Sequence, residues 1–277
     1  MARSSGNRKS RRRQLQASHQ KNWLTGRYAI LETMKAGRWP VDELFVAEDE
    51  FAKDKSISDQ IETLADAADV RVYFESSDRI AELCHSTHHQ GVAARMGPFP
   101  YESLQWLQNF LTTSAATADA VGTLPLVVVC DRIQDTFNFG AILRCCDAMQ
   151  VAAVLIGDSE QATVTPQVSR SSAGAVNHVP IVLCEDLNLA VGMLKASGLL
   201  IAAASEKATE PAWAVSLKAP TALIVGSESD GVSANLLALC DAALQIPMLG
   251  QVESLNAAVA AGIMLYEIRR QQHSGLL

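Results

Sequence analysis

The sequence predicts an α/β protein whose C-terminal part is a mainly parallel sheet with helices on both faces, preceded by a small α/β domain. Three observations predict it. Short apolar runs without polar alternation recur after Pro125, as strands buried on both faces require. Helical patterns separate those runs, and alternation of strand with helix implies a parallel sheet. A Thr/Ala/Ser/Gly-rich stretch at 112–123 sets this half apart from an earlier series of short elements.

Taken in order, residues 1–20 are Ser/Arg/Gln-rich, lack hydrophobic periodicity and read as a basic disordered tail. Residues 21–98 form the small domain. Tyr28-Ala29-Ile30-Leu31 with Met34 has helical spacing, and Gly37 is a natural stop. Leu44-Phe45-Val46 reads as a strand, Ile61–Ala68 as a helix, Val70–Phe74 as a strand, Ile80–Leu83 as a helical turn and Gly91–Met96 as a last strand. Residues 99–122 are expected to be a linker, helical at Leu104–Leu111 and flexible beyond. In 123–277, strands are expected at Leu126–Cys130, Val151–Ile156, Ile181–Leu183, Leu199–Ala203, Ala222–Val225 and Leu244–Ile246. Helices are expected at Gly140–Met149, Leu187–Ala196, Ser233–Leu239 and Leu255–Arg270.

Bulk properties narrow the function classes. With 277 residues, 48% apolar and 19% charged, the chain can bury two domain cores. No apolar stretch approaches the ~20 residues of a membrane span. The basic N-terminus is followed by no apolar h-region, so a cytoplasmic location without membrane partners is expected. The six cysteines show neither a C-x-x-C pair nor zinc-like spacing, so neither disulfides nor a metal is expected. Net charge is −7, yet residues 1–21 carry seven of the 23 basic residues and no acidic one, leaving −14 on the rest. A cationic arm on an acidic body suits a tail that grips phosphates, and equally a solubilising tail.

Three polar clusters fall at the carboxyl ends of predicted strands, where open α/β sheets bind ligands. The first runs Asp131-Arg132-Ile133-Gln134-Asp135-Thr136-Phe137-Asn138-Phe139-Gly140 and leads to Arg144. The second is Gly226-Ser227-Glu228-Ser229-Asp230-Gly231, ahead of Ser233, a good helix N-cap. The third is Ile246-Pro247-Met248-Leu249-Gly250-Gln251-Val252-Glu253-Ser254-Leu255-Asn256, with Ser254 the expected cap of the final helix. Singly, each has a structural explanation as turn, cap or helix-end charge. Together they favour one ligand site. Val232 stands where a P-loop needs lysine, and no G-x-G-x-x-G follows the first strand of this half. The residues therefore support neither a P-loop NTPase, nor a dinucleotide-binding Rossmann site, nor the ordinary Rossmann-like methyltransferase with its early glycine loop.

These clusters, as DRIQDTFNFGAILRCCDAM, LIVGSESDGVS and IPMLGQVESLNAAVAAGIMLYEIRRQ, resemble the three ordered motifs of the SpoU/TrmH (SPOUT superfamily) RNA ribose 2′-O-methyltransferases. Gly26-Arg27-Tyr28-Ala29-Ile30 and His89-Gln90-Gly91-Val92-Ala93-Ala94 are similar to that family's substrate-binding domain. The resemblance implies a trefoil knot in the C-terminal domain, otherwise rare among folds. It implies S-adenosyl-L-methionine as cofactor, held at Gly226, Ile246 and Leu255 with Met248 nearby. It implies catalytic roles for Arg144, Asn138, Glu228, Ser254 and Asn256, an RNA partner and a homodimer. The paired N-terminal domain favours ribosomal RNA over transfer RNA; a catalytically inactive RNA-binding protein of this fold is the alternative. Since a guanidinium stays protonated, Arg144 is expected to bind a phosphate and stabilise developing alkoxide charge. Gln150, Ala257-Ala258 and Cys145-Cys146 depart from the family's usual residues, and none is a proposed catalytic position.

Two weaker features remain. Cys84-His85-x-x-His88-His89 has metal-ligand residue types but no second cluster to complete a tetrahedron. Trp23, Arg27 and Tyr28 have the chemistry to stack on unpaired bases, although aromatics at a domain start more often pack in a core.

Overall fold

The computed structural model describes residues 22–121 and 124–273, which form two compact units. The first comprises the described residues up to Pro100 with Val164–Asn177; the second comprises Tyr101–Thr163 and the described residues from His178. The basic tail at 1–20 lies outside the described residues.

The first unit runs β1 (Trp23–Thr25), α1 (Arg27–Ala36), β2 (Val41–Val46), α2 (Glu48–Phe51), α3 (Lys55–Ala67), β3 (Arg71–Phe74), α4 (Ser77–Cys84) and β4 (Val92–Met96). Its sheet has the order β1-β4-β2-β3, with β4 antiparallel to β1 and β2, and β3 parallel to β2. α1 stops at Gly37, whose φ of 63° is the left-handed C-cap open to glycine at no steric cost. Asp54 and Ser76 start α3 and α4 by accepting from the amides of Ile57 and Arg79. Trp23 is only 5% exposed and packs edge-on against Phe45. Arg27 donates Nε to the Gln90 carbonyl at 2.9 Å and a terminal nitrogen to the Glu50 carbonyl. Neither is free to stack on a base; Tyr28, 67% exposed, is. In the cysteine–histidine stretch, Cys84 Sγ donates to the Ser86 carbonyl, and buried His89 accepts the Gly91 amide at Nδ1, 3.1 Å away.

The second unit opens with α5 (Leu104–Val121), started by Ser103 accepting from the Trp106 amide at 3.1 Å. The helix continues through the stretch expected to be flexible. Four alanines between 115 and 120, the best helix formers, outweigh the threonines there. There follow β5 (Leu126–Asp131), α6 (Thr136–Ala148) and β6 (Ala153–Gly157). The chain then passes through α7 (Pro166–Ser171), which groups with the first unit: Arg170 bonds the Thr25 hydroxyl and buried Asn177 bonds that of Thr33. The remaining elements are β7 (Ile181–Cys184), α8 (Leu187–Ala196), β8 (Leu200–Ala204), β9 (Glu210–Pro211), β10 (Thr221–Gly226), α9 (Ala234–Leu237), β11 (Ala242–Gln245) and α10 (Ala257–His273).

Seven strands form one sheet in the order β7-β6-β5-β10-β8-β11-β9, and every pairing in it is parallel. β5 and β10, its centre, are buried at every residue, which accounts for their unbroken apolar sequence. From β5 the chain winds outward through β6 and β7, then crosses to the opposite side. The strand order reverses beside β10, the topological switch where such sheets bind ligands. α10 packs on α6 and β10, and Cys145 sits where a side chain at Gly262 would otherwise extend.

Candidate active site

Register brings the strand ends together. Gly226 stands opposite Asp131 across β10 and β5, while Val225 and Leu244 both pair with Ala204 of β8. The loops leaving β8, β10 and β11 therefore enclose one cavity, with about 900 Å³ of empty space counting its open mouth. Leu237, Leu244, Ile246, Met248, Ala260 and Met264 contribute apolar lining; Ser205, Glu206, Lys207, Glu228, Asp230, Glu253 and Ser254 contribute polar lining.

Gly226 is required by its own loop. A Cβ there would collide with the backbone of Gly231 and Val232, which folds back directly over it. That return is a tight turn, in which the Gly231 amide donates to the Ser227 carbonyl at 3.0 Å and Gly231 takes a φ of 67°. β5 fastens the turn from below. Asp131, 3% exposed, accepts the Ser233 amide at 2.6 Å and Arg132 Nε at 3.1 Å, and Arg132 donates onward to the Gly231 carbonyl. The hydrogen bond to Asp131 raises the Arg132 guanidinium further above neutrality. Ser233 precedes α9 as expected, but its hydroxyl makes no capping bond.

α6 begins at Thr136, four residues earlier than expected, because Asp135 accepts the Phe137 amide at 2.8 Å. Asn138 is thus a first-turn helical residue. Its Nδ2 donates to Glu228 Oε1, and its Oδ1 accepts Asn256 Nδ2 at 2.9 Å. Asn256 Oδ1 in turn accepts the amides of Ala258 and Val259 at 3.0 and 3.3 Å. Asn256, not Ser254, is therefore the cap of the final helix, since that helix starts two residues later than the apolar pattern suggests. Ser254 is exposed at the cavity wall.

Of the residues singled out in the sequence, Gly226, Ile246, Met248, Leu255, Glu228 and Ser254 line the cavity. Asn138 and Asn256 reach it through their bonds to and toward Glu228. Arg144 does not line it. That side chain is exposed on α6 with no hydrogen bond or ion pair to any described residue. Sequence reasoning missed the buttress formed by Asp131 and Arg132, and missed the Ser205–Lys207 loop. The signal for the loop was its place after a strand of the same parallel sheet.

The comparisons with known proteins agree with this geometry. Residues 125–266 match the family described as SpoU rRNA Methylase, and residues 23–102 match RNA 2′-O ribose methyltransferase substrate binding. A putative TrmH family tRNA/rRNA methyltransferase of Staphylococcus aureus (strain MSSA476) is 30% identical over 90% of this chain and 96% of its own. One from Bacillus subtilis (strain 168) is 27% identical over 92% and 98%. The crystal structure of the SpoU methyltransferase AviRb from Streptomyces viridochromogenes, in complex with the cofactor AdoMet, covers 91% of this chain and 91% of its own at 25% identity and a TM-score of 0.71. With three strand-end loops around one cavity and both domains matched, the chain belongs to the SpoU family of S-adenosylmethionine-dependent RNA 2′-O-ribose methyltransferases.

Proposed function

We propose that this chain methylates a ribose 2′-hydroxyl of ribosomal RNA, acting as a homodimer in the cytoplasm, with Arg144 engaging the RNA and Glu228 orienting the ribose. The observation that carries the reading is the joining of Asn138, Glu228 and Asn256, one residue from each strand-end cluster, beside the cavity. The cavity fits the cofactor: its lining combines apolar side chains with carboxylates, and the ligand combines a flat adenine with a sulfonium and an ammonium. Ile246, Leu244 and Leu255 would cover the base; Gly226, Met248 and Ser254 would border the rest. When bound, S-adenosylmethionine supplies a methyl group already activated by positive sulfur.

The protein's own task is then to place the hydroxyl in line with that methyl and to accommodate the charge that develops on oxygen. Glu228, held at one carboxylate oxygen by Asn138, keeps the other available to accept from a ribose hydroxyl. Arg144, exposed on α6 and without an ion pair among the described residues, suits a backbone phosphate, which its fork can bind at two oxygens. The trefoil knot implied by the family is part of this reading. So is the dimer: Val259, Ile263 and Tyr266 are exposed at helical spacing along α10, with Phe137 exposed on α6.

Among the described residues no helix is long and apolar enough to cross a membrane. The test is incubation with tritiated methyl donor and separated ribosomal and transfer RNAs, followed by alkaline hydrolysis. Label in alkali-resistant dinucleotides from ribosomal RNA is the expected result. Label confined to transfer RNA would move the target, label on a base would overturn the reaction, and no label with retained RNA binding would make the protein a binding module.

A further inference from the structure

The cavity's charge is lopsided, and part of it, Glu206 with Lys207, comes from a loop outside the three family motifs. Four carboxylates line it, Glu206, Glu228, Asp230 and Glu253, against one ammonium, that of Lys207. Among the described residues, the one ion pair made by these carboxylates is that of Asp230 with Arg132 at 3.8 Å. Glu228 is bonded to a neutral amide, and among the described residues no ion pair involves Glu206, Glu253 or Lys207. Glu206 and Lys207 come from the loop after β8, which is held in place by its backbone. The Ser205 amide extends the β8–β11 ladder to the Leu244 carbonyl at 2.9 Å. The Ser205 hydroxyl and carbonyl accept the amides of Lys207 and Ala208. The loop thus presents one acid and one base to the ligand from a fixed turn.

We propose that this carboxylate-rich lining selects the cofactor by charge, favouring S-adenosylmethionine over the demethylated product, while Lys207 takes the carboxylate common to both. The inference rests on the cofactor reading above. S-adenosylmethionine carries a sulfonium, an ammonium and a carboxylate, a net +1. Loss of the methyl leaves a neutral thioether and a net charge of zero. An excess of negative lining charge attracts the first and is indifferent to the second, so transfer itself weakens the hold on what remains. The groups are exposed, so water and salt screen the effect. It is expected to amount to about tenfold in affinity at low ionic strength and to shrink as salt rises. Since the discrimination is built from several partly screened acids, no single one supplies all of it.

The experiment is isothermal titration of the full chain with three ligands: S-adenosylmethionine, S-adenosylhomocysteine and sinefungin, whose amine puts a cation where the methylsulfonium stands. At low salt, S-adenosylmethionine and sinefungin are expected to bind about tenfold tighter than S-adenosylhomocysteine, with the ratio falling toward unity in 0.5 M salt. Glu206→Gln and Glu253→Gln should each lower the ratio. Lys207→Gln should weaken all three ligands by a similar factor. Equal affinities at low salt, or a ratio that ignores both salt and the two glutamine variants, would overturn charge selection while leaving the cofactor assignment intact. If none of the three ligands bound, the cofactor assignment and this inference would fall together.

Discussion

Asn256 donates its amide to Asn138 across 2.9 Å while its carbonyl oxygen caps the helix that starts at the next residue. The cap fixes the polarity of the whole chain of bonds. With Oδ1 committed to two backbone amides, Nδ2 must face Asn138, so Asn138 must turn its own Nδ2 to Glu228. A helix end thereby sets the orientation of a carboxylate at the cofactor cavity.

Cap and relay are separable by substitution. Asn256→Asp keeps a good N-cap but loses the donor and places a second charge near Glu228. Thermal stability should be unchanged and methyl transfer should fall on the order of tenfold or more. Asn256→Ala loses both functions, and should cost about 1 kcal/mol in addition. Wild-type turnover by Asn256→Asp would show that the relay has no catalytic consequence.

Gly226 gives a second test. Alanine there meets the backbone of Gly231 and Val232, which flexible side chains cannot relieve. The turn must move, and with it the bond that Asp131 accepts from the Ser233 amide and the one that Arg132 donates to the Gly231 carbonyl. Gly226→Ala should lose about 1–3 kcal/mol of stability, as overpacked sites do, and bind S-adenosylmethionine at least tenfold more weakly by titration calorimetry. Unaltered affinity would mean that the turn does not shape the cavity.

The parallel sheet was legible because a strand buried on both faces leaves an unmistakable record, as at Leu126–Asp131 and Thr221–Gly226. The strand-end clusters were legible for the same reason, since each follows such a run. Side-chain wiring was not. Ser254 and Asn256 are both good caps by type, and only the tertiary bond to Asn138 shows which one is used. Asp131 reads as a polar residue ending a strand, and its bond to Ser233 spans 102 positions that no local pattern encodes. The helix at 112–121 was hidden because threonine and alanine pull in opposite directions, and local composition does not say which prevails.

Arg269 holds the final helix. It is 7% exposed on α10 and donates to the carbonyls of Met149, Leu124 and Gln150, each at 2.8 Å, and to Gln272 Oε1. Two of those carbonyls follow the end of α6, where helix carbonyls lack partners and favour a cation. Burial lowers its pKa, yet the fork meets all its acceptors at once. Lysine has no such fork. Arg269→Lys and Arg269→Ala should each cost about 3 kcal/mol or more, by breaking the set of bonds that the buried guanidinium makes to three carbonyls at once. A thermal midpoint within a degree of wild type for either would contradict this account.

Buried cysteines should make stability fall with pH in the alkaline range. Cys130 lies wholly buried in β5, and burial pushes its thiol up to about 12, with Asp131 adding in the same direction. Buried Cys146 is raised well above its ordinary value of 9.0 for the same main reason. A raised folded pKa means that the unfolded chain loses the proton first. The contribution of Cys130 is complete below pH 9 and is lost as pH rises from 9 toward 12. The loss runs at about 1.4 kcal/mol per pH unit once the unfolded thiol is ionised. Cys130→Ala removes this term and leaves the lysines and tyrosines titrating as before. The two proteins should therefore show a constant stability difference from pH 7 to 8.5, and above pH 9 wild type should lose ground at that rate. Parallel stability curves up to pH 11 would mean that the buried thiol ionises without unfolding.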